Sequence, residues 1–426
     1  MTSFDRRALE AAGYLVLPGF IDLHAHLREP GFEDSETIAT GTRAALRGGF
    51  TTVCAMPNTE PAIDAPGQVA ELIARATAAG AARVLPVACI TRGRKGKELA
   101  DLVELAAAGA IAFSDDGAPV EDARLFRSAL EYARAADRLV MEHPQDLALS
   151  AHGVMHEGRV SADLGLAGLP AAAEEAAIAR DVALAKLSGA RLHLQHVSTA
   201  GGIALVRRAK ADGVRVTCEV TPHHLALTDA WVAGERAFAW EGTQGVRGPR
   251  GRGPSERSVP AMRKGWPYDA ATKVNPPLRT EADVRALWEG LADGTVDAIA
   301  TDHAPHASVK KDVEYDQAAS GISGLETALP LVLGGVDAGW APLDAVIAAL
   351  TTGPARVLGI PLPGGDWTVI DRAATWTVTA ATLASKGKNT PLLGRELRGR
   401  VIMTVVGGDV RYEGEVRAAQ TVAGSR

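Results

Sequence analysis

Short apolar runs alternate along the chain with longer stretches whose apolar positions recur every three or four residues. The runs are GFIDLHAH (19–26), TTVCAMP (51–57), RVLPVACI (83–90), AIAFSDD (110–116), RLVMEH (138–143), RLHLQHVS (191–198), VRVTCEVTPHH (214–224) and VDAIATDHAP (296–305). Their length and their β-branched residues read as strands, and the stretches between them, such as DAPGQVAELIARATAAG and AEEAAIARDVALAKLSG, read as helices. Glycine recurs where such a helix stops and the next strand starts, the position of a left-handed C-cap. Eight strands alternating with helices predict an α/β fold, a (β/α)8 TIM-like barrel over residues 15–355. The alternative, an open doubly wound sheet, lacks support because no strand opens into a GxGxxG turn.

Polar residues break the pattern at one end of the runs. His24 and His26, Asp115 and Asp116, His143, His196, His223 and His224, and Asp302 with His303 all close their strands on the C-terminal side. A barrel gathers these ends on one face, which is where such folds carry their active sites. After residue 355 the pattern changes: TVIDRAATWTV and LRGRVIMTVVGGDVRYEG read as antiparallel strands, and ASKGKNTPLLGRELRGR between them as loop. We expect a small, reduced β appendage from residues 1–14 and 356–426, formed mainly by the C-terminal tail. Residues 241–265, rich in Gly, Arg, Pro and Ser and without apolar period, are expected to form a flexible insertion within the barrel.

Composition narrows the function class. Of the 426 residues 46% are hydrophobic, enough for a large buried core, and the net charge of −6 favours neither nucleic acid nor an anionic membrane. Cys54, Cys89 and Cys218 each sit in an apolar run and read as reduced core residues. With no apolar leader and no long apolar run, the expectation is a soluble cytoplasmic protein.

The strand ends then supply chemistry. Residues i and i+2 of a strand share a side, so His24 and His26 project together into the barrel mouth. A single histidine is more often structural, as His193 is read here, being offset by three from His196. His143 and His196 bring the rim to four imidazoles, which suits Zn²⁺ or a similar borderline metal. Asp302 can ligate a metal and take a proton from water. One of Asp115 and Asp116 is a candidate bridge between ions, although SDDG is also a plain turn. Four histidines and two carboxylates exceed the needs of one tetrahedral zinc and suit a two-metal site. Arg28 could hold a carboxylate with its fork, and Asn58, Asn275 and His306 could complete a pocket for a small, anionic, amide-bearing substrate.

Taken together, PGFIDLHAHLREPG, GGFTTVCAMPNT, AFSDDG, LQHVSTAGG, TPHHL, KVNPPLR, AIATDHAPH and SGISGLETALPL resemble the dihydroorotases of the amidohydrolase superfamily, in the bacterial form with a bridging aspartate. Dihydroorotases interconvert N-carbamoyl-L-aspartate and dihydroorotate in pyrimidine synthesis. The resemblance implies a distorted TIM barrel with two zinc ions. His24 and His26 would hold one, His143 and His196 the other, and Asp116 would bridge them. Asp302 would bind the first zinc and shuttle the proton. Arg28, Asn58 and His306 would hold the substrate's α-carboxylate, and Asn275 with the backbone around Ser320 and Gly321 would contact the ring amide. HASVKKDVEYDQAAS would be the loop beside the substrate. The resemblance also implies a homodimer or an association with aspartate transcarbamoylase.

The chain departs from the family pattern in four places. The segment before LVLPGFIDLH and the stretch GIPLPGGDWTVID are both short, the 241–265 insertion has no family counterpart, and MEHPQD replaces the commoner His-Cys-Glu-Asp run while retaining His143. Hydantoinases, dihydropyrimidinases and allantoinases are the nearest alternatives. Those relatives usually bridge their metals with a carbamoylated lysine, whereas the fourth strand here offers no lysine. A non-catalytic dihydroorotase-like subunit of aspartate transcarbamoylase would have lost metal ligands, and all six candidates are present.

Overall fold

A computed structural model describes residues 4–241 and 265–414. In chain order its strands are β1 (Leu15–Pro18), β2 (Phe20–Ala25), β3 (Phe50–Ala55), β4 (Arg83–Ala88), β5 (Ala112–Phe113), β6 (Leu139–Glu142), β7 (Met155–His156), β8 (Gly168–Leu169), β9 (Leu192–Leu194), β10 (Val216–Val220), β11 (Ala298–Ile299), β12 (Trp367–Thr377), β13 (Glu396–Val406) and β14 (Asp409–Glu413). Eight of them form one sheet in the order β11-β10-β9-β6-β5-β4-β3-β2, and their pairings are parallel. The sheet closes just past its ordered edges, where Ala25 bridges His303 in parallel and His26 N donates to His303 O at 2.8 Å. The architecture is the expected α/β barrel, and each of the eight apolar runs contains one of its strands, except that β3 starts one residue ahead of its run, at Phe50.

Local chemistry sets the helix ends. Thr37 and Thr40 form a capping box at the start of helix Ile38–Gly48, and Gly49 ends it at φ 89°, so that Phe50 can begin β3 at once. Asp122, Thr199 and Thr280 likewise accept backbone N–H groups at the starts of Ala123–Ala135, Ala200–Ala211 and Glu281–Ala292. The helices pack on the outside of the sheet through one continuous core that includes Phe20, Phe50, Phe113, Leu192, Val220 and Ile299. A second cluster fills the barrel interior below the mouth, with Ile21, Leu23, Cys54, Met56, Leu139, Met141, Ala298 and Ala300. The three cysteines are free and buried.

The four-stranded sheet has the order β1-β12-β13-β14 and is antiparallel throughout. Its limits differ from those expected. Residues Arg6–Ala11 are helical rather than extended, because Asp5 caps an Ala/Leu/Glu/Arg stretch, and Phe4 then stacks on Trp367 at 5.8 Å. Leu15–Pro18, expected in the barrel, pairs with β12 instead. Residues 356–358, expected in the appendage, end the helix Thr352–Leu358, and Val357 and Leu358 plug the barrel interior because they are apolar and face it. Apart from its two ends, the expected 241–265 insertion lies outside the described residues. Among the described residues no helix is long and apolar enough to cross a membrane.

Candidate active site

The histidine pair of β2 reaches the mouth through an irregularity. Ile21 and Leu23 both belong to the interior cluster, so strict alternation would bring Ala25 inward and turn His24 and His26 out. The β2–β3 register breaks between Asp22 and Ala25, Ala25 joins the outer core, and the two imidazoles face inward. Asp22 supports the break by accepting His24 N at 3.1 Å and Thr301 N at 2.9 Å, which also ties β2 to the strand end carrying Asp302.

Six side chains converge above this point. Asp116 sits at the centre. Its Oδ1 lies 3.3 Å from His24 Nε2, 3.6 Å from His143 Nδ1 and 3.7 Å from His196 Nε2, while its Oδ2 lies 3.5 Å from His26 Nε2. Asp302 Oδ1 lies 3.0 Å from His26 Nε2 and 3.6 Å from His24 Nε2. The His143 and His196 nitrogens approach to 2.8 Å. All six residues are buried. Two of them, His196 (φ 33°) and Asp302 (φ 44°), hold left-handed backbone conformations, as does Arg28 (φ 63°). Non-glycine residues adopt these only when their surroundings enforce it.

This cluster can hold metal. His24, Asp116 and His196 place ligand atoms within 4.8 Å of one another, and so do His24, His26 and Asp302. Outer partners occupy the far ring nitrogens, His24 Nδ1 on Glu219 at 2.9 Å and His26 Nδ1 on Asn58 at 2.8 Å, so each Nε2 faces the centre. His24 Nε2 is buried with no hydrogen-bond partner. Electrostatics agree with that reading except at His24, where burial is outweighed by Asp116 and Asp302, which raise the imidazole. Burial opposes the Asp116 anion, but the charge of His24 and bonds from His143 and His196 outweigh it and hold the carboxyl well below its usual range. Burial likewise opposes the Asp302 anion, and His24 and His26 pull it below the usual range. Burial, then the Arg28 charge, lowers His26; burial, then His143, lowers His196. Two acids held anionic beside two imidazoles held neutral form a donor set suited to a divalent cation.

A cavity of about 650 Å³ opens over the cluster. Of the twelve residues that the family resemblance assigns to the site, all but His24 line it; Asp115, the other candidate bridge, does not. Arg28 Nε donates to Pro305 O at 3.2 Å, and its Nη2 lies 3.4 Å from His306 Nε2. Burial lowers the Arg28 pKa to about 10, which leaves it charged at neutral pH. His306 is pushed down to about 3 by burial and then by Arg28, and its Nε2 donates to Ser320 O at 2.8 Å. Asn275 Nδ2 donates to Gln145 Oε1 at 2.8 Å and lies 3.3 Å from His143 Nε2. Asp115 points away from the cluster and accepts Ile90 N at 2.8 Å and Thr91 N at 3.1 Å, together with the Thr91 hydroxyl.

Sequence reasoning did not single out Glu219, Gln145 or Lys273. Glu219, an acid within the apolar run of β10, was the one visible signal; Gln145 and Lys273 lie in polar loops where nothing marks them. His193 sits behind the site, its ring bonded to Thr217 and Glu219. His224 bridges Thr221 and the Pro276 carbonyl.

Residues 13–201 match the family model described as Dihydro-orotase-like. The chain is 51% identical over 415 residues to the dihydroorotase of Anaeromyxobacter sp. (strain K), covering 96% of this chain and 89% of that one. It is 51% identical over 416 residues to the dihydroorotase of Pelotomaculum thermopropionicum, with the same coverage. Among solved structures, an L-hydantoinase (dihydropyrimidinase) from Arthrobacter aurescens superposes with a TM-score of 0.77 at 23% identity, over 96% of this chain and 88% of the other, a likeness of fold. With half its residues shared over nearly the whole length of two such relatives, this chain belongs to the dihydroorotase family of cyclic amide hydrolases.

Proposed function

We propose that the chain is a zinc-dependent dihydroorotase that cyclises N-carbamoyl-L-aspartate to dihydroorotate reversibly, in pyrimidine synthesis. One observation carries this reading. A charged, half-buried Arg28, with Asn58 and His306, stands in the same cavity as the imidazole and carboxylate cluster. The cavity thus offers one place for a carboxylate and another for an amide under attack.

Two zinc ions fit the donor set. His24, His26 and Asp302 would hold one, and His143 and His196 the other. Asp116 would serve both, since its two oxygens already face different histidines. When bound, such ions supply Lewis acidity and make hydroxide available at neutral pH. The chain's own residues do the rest. Arg28 and Asn58 fix the α-carboxylate and so decide which carbonyl faces the cluster. In ring opening, the oxygen of water adds to the amide carbon and the C–N bond breaks. The Asp302 carboxylate takes the water proton and delivers it to the departing nitrogen. Ring closure is the reverse, with Asp302 starting protonated.

The test is turnover of zinc-loaded protein on dihydroorotate, hydantoin and allantoin side by side. We expect dihydroorotate to be strongly preferred; preference for either neutral ring would overturn the substrate assignment.

A further inference from the structure

The stretch SKGKNTP, residues 385–391, lies between two strands of the small sheet yet does not stay with that sheet. It runs back to the barrel mouth. Two buried carboxylates receive its backbone: Glu326 accepts Ala384 N at 2.8 Å and Ser385 N at 3.1 Å, and Glu36 accepts Lys386 N at 3.1 Å and the Ser385 hydroxyl. Beyond them comes Asn389, buried, with its whole amide engaged. Its Nδ2 donates to Ala304 O at 3.0 Å and to Gly321 O at 2.9 Å. Its Oδ1 accepts His306 N at 2.8 Å and the Ser323 hydroxyl at 3.0 Å.

These partners belong to two separate segments, 304–306 and 321–323, and each segment lines the cavity, through Ala304 and His306 on one side and Gly321 on the other. One side chain therefore fixes the spacing between them. Gly387 makes the approach possible: a Cβ there would stand 2.7 Å from His306 N and 2.7 Å from Pro305 Cβ. Gly321 itself, at φ 140°, has a conformation that side chains rarely adopt, so its carbonyl direction depends on what holds it.

We infer that Asn389 is a positioning residue for substrate: it clamps the segment of His306 to that of Gly321 and so sets the width of the carboxylate-binding end of the cavity. On this view the C-terminal appendage supplies part of the site without touching substrate. Asparagine suits the task because one planar amide donates twice and accepts twice. Aspartate has nearly the same shape, but it cannot donate to the two carbonyls and would face them with charge.

The inference rests on the proposed dihydroorotase reading for its kinetic arm only. Asn389→Ala and the isosteric Asn389→Asp are compared with wild type, with His306→Ala, and with Lys386→Ala, whose side chain points the other way, to Glu33 O. For both Asn389 variants we expect KM for dihydroorotate to rise about tenfold with kcat within about threefold, the pattern of lost ground-state positioning. Bound zinc should be unchanged. Backbone amide exchange is the second arm. Protection across 303–308 should fall in Asn389→Ala, where His306 N loses its acceptor, and stay at the wild-type level in Lys386→Ala.

If wild type fails to turn over dihydroorotate, the functional reading fails, and the exchange result still judges the clamp. If His306→Ala raises KM while both Asn389 variants leave KM and exchange as in wild type, the clamp is wrong. Loss of zinc and kcat together, with KM unmoved, would reduce Asn389 to a general stabiliser and overturn the inference as well.

Discussion

His24 and Glu219 meet across the barrel interior, Nδ1 to Oε1 at 2.9 Å, and neither side chain is exposed at all. Glu219 also accepts His193 Nε2 at 3.1 Å through its other oxygen, and His193 Nδ1 is held in turn by Thr217 at 2.8 Å. Three strands, β2, β9 and β10, are thus joined behind the cluster by one carboxylate. Its effect is orientational. Occupying Nδ1 leaves Nε2 of His24 free toward Asp116 and Asp302.

Glu219→Gln should therefore weaken metal binding. Loss of a carboxylate behind a ligating histidine typically costs about 10- to 100-fold in metal affinity. Competition against a chelator measures this directly, with circular dichroism to show that the fold is kept. Wild-type affinity in the variant would deny Glu219 its orienting role.

The same carboxylate makes the metal-free protein sensitive to acid. Burial would raise Glu219, but hydrogen bonds from His193 and His24 bring it down to about 2, below its ordinary 4.5. The unfolded chain then binds the proton more readily than the folded one. The stabilisation is complete above the unfolded value and is lost as pH falls from about 4.5 toward 2, by an amount on the order of 3 kcal/mol. Asp116 and Asp302 are displaced in the same direction. Urea unfolding of chelated protein at pH 5 and pH 3 should show this drop, and a smaller one in Glu219→Gln. Equal drops in the two proteins would contradict it.

Much of this site is legible in the sequence because its parts fall on regular strands. The apolar runs locate the strands, and a barrel leaves their C-terminal ends nowhere else to go than one rim. That rule brings His24, His26, His143, His196 and Asp302 to the rim. What alternation could not reveal is the register break in β2 that turns the pair inward, since Ile21 and Leu23 would place His24 on the opposite side. Glu219 hid because a buried acid has meaning only once its partners are known, and those lie 26 and 195 residues away. Asn389 hid for a related reason. It sits in a loop of small and polar residues, and its function depends on a return path between two sheet strands that no periodicity records.

Asp115 and Asp116, neighbours in sequence, should behave as opposites. Asp115 staples the loop after β4 through Ile90 N and Thr91 N. Asp115→Ala leaves these donors without an acceptor and should cost about 1–3 kcal/mol of stability with little change in metal content. Asp116→Ala should fold and lose metal. Thermal unfolding and metal analysis of the two variants separate them, and metal loss from Asp115→Ala with retention in Asp116→Ala would reverse their roles.

Asp302→Asn tests the proton transfer. The amide keeps an oxygen for a cation but cannot accept the proton of water, so we expect substantial metal retention and a fall in turnover of about 10²- to 10⁴-fold, the range for loss of general acid–base catalysis. Single-turnover rates and metal content on the same sample decide this. A near-normal rate with metal bound would place the proton shuttle elsewhere.

On the proposed reading, Arg28 carries the choice of substrate. Its guanidinium remains charged, its backbone is held at φ 63°, and Nε is already committed to Pro305 O, which leaves the terminal nitrogens to face the cavity. Arg28→Met keeps the apolar stem and removes the fork. Hydrogen bonds to an ionised group predict a loss of affinity on the order of 10- to 100-fold for dihydroorotate. A ring that lacks the carboxylate, such as dihydrouracil, should bind the variant no worse than wild type, because the group it never used is the one removed. Measured inhibition constants for the pair separate a carboxylate contact from general damage: a parallel loss for both rings would mean that Arg28 shapes the cavity and does not read the substrate's charge.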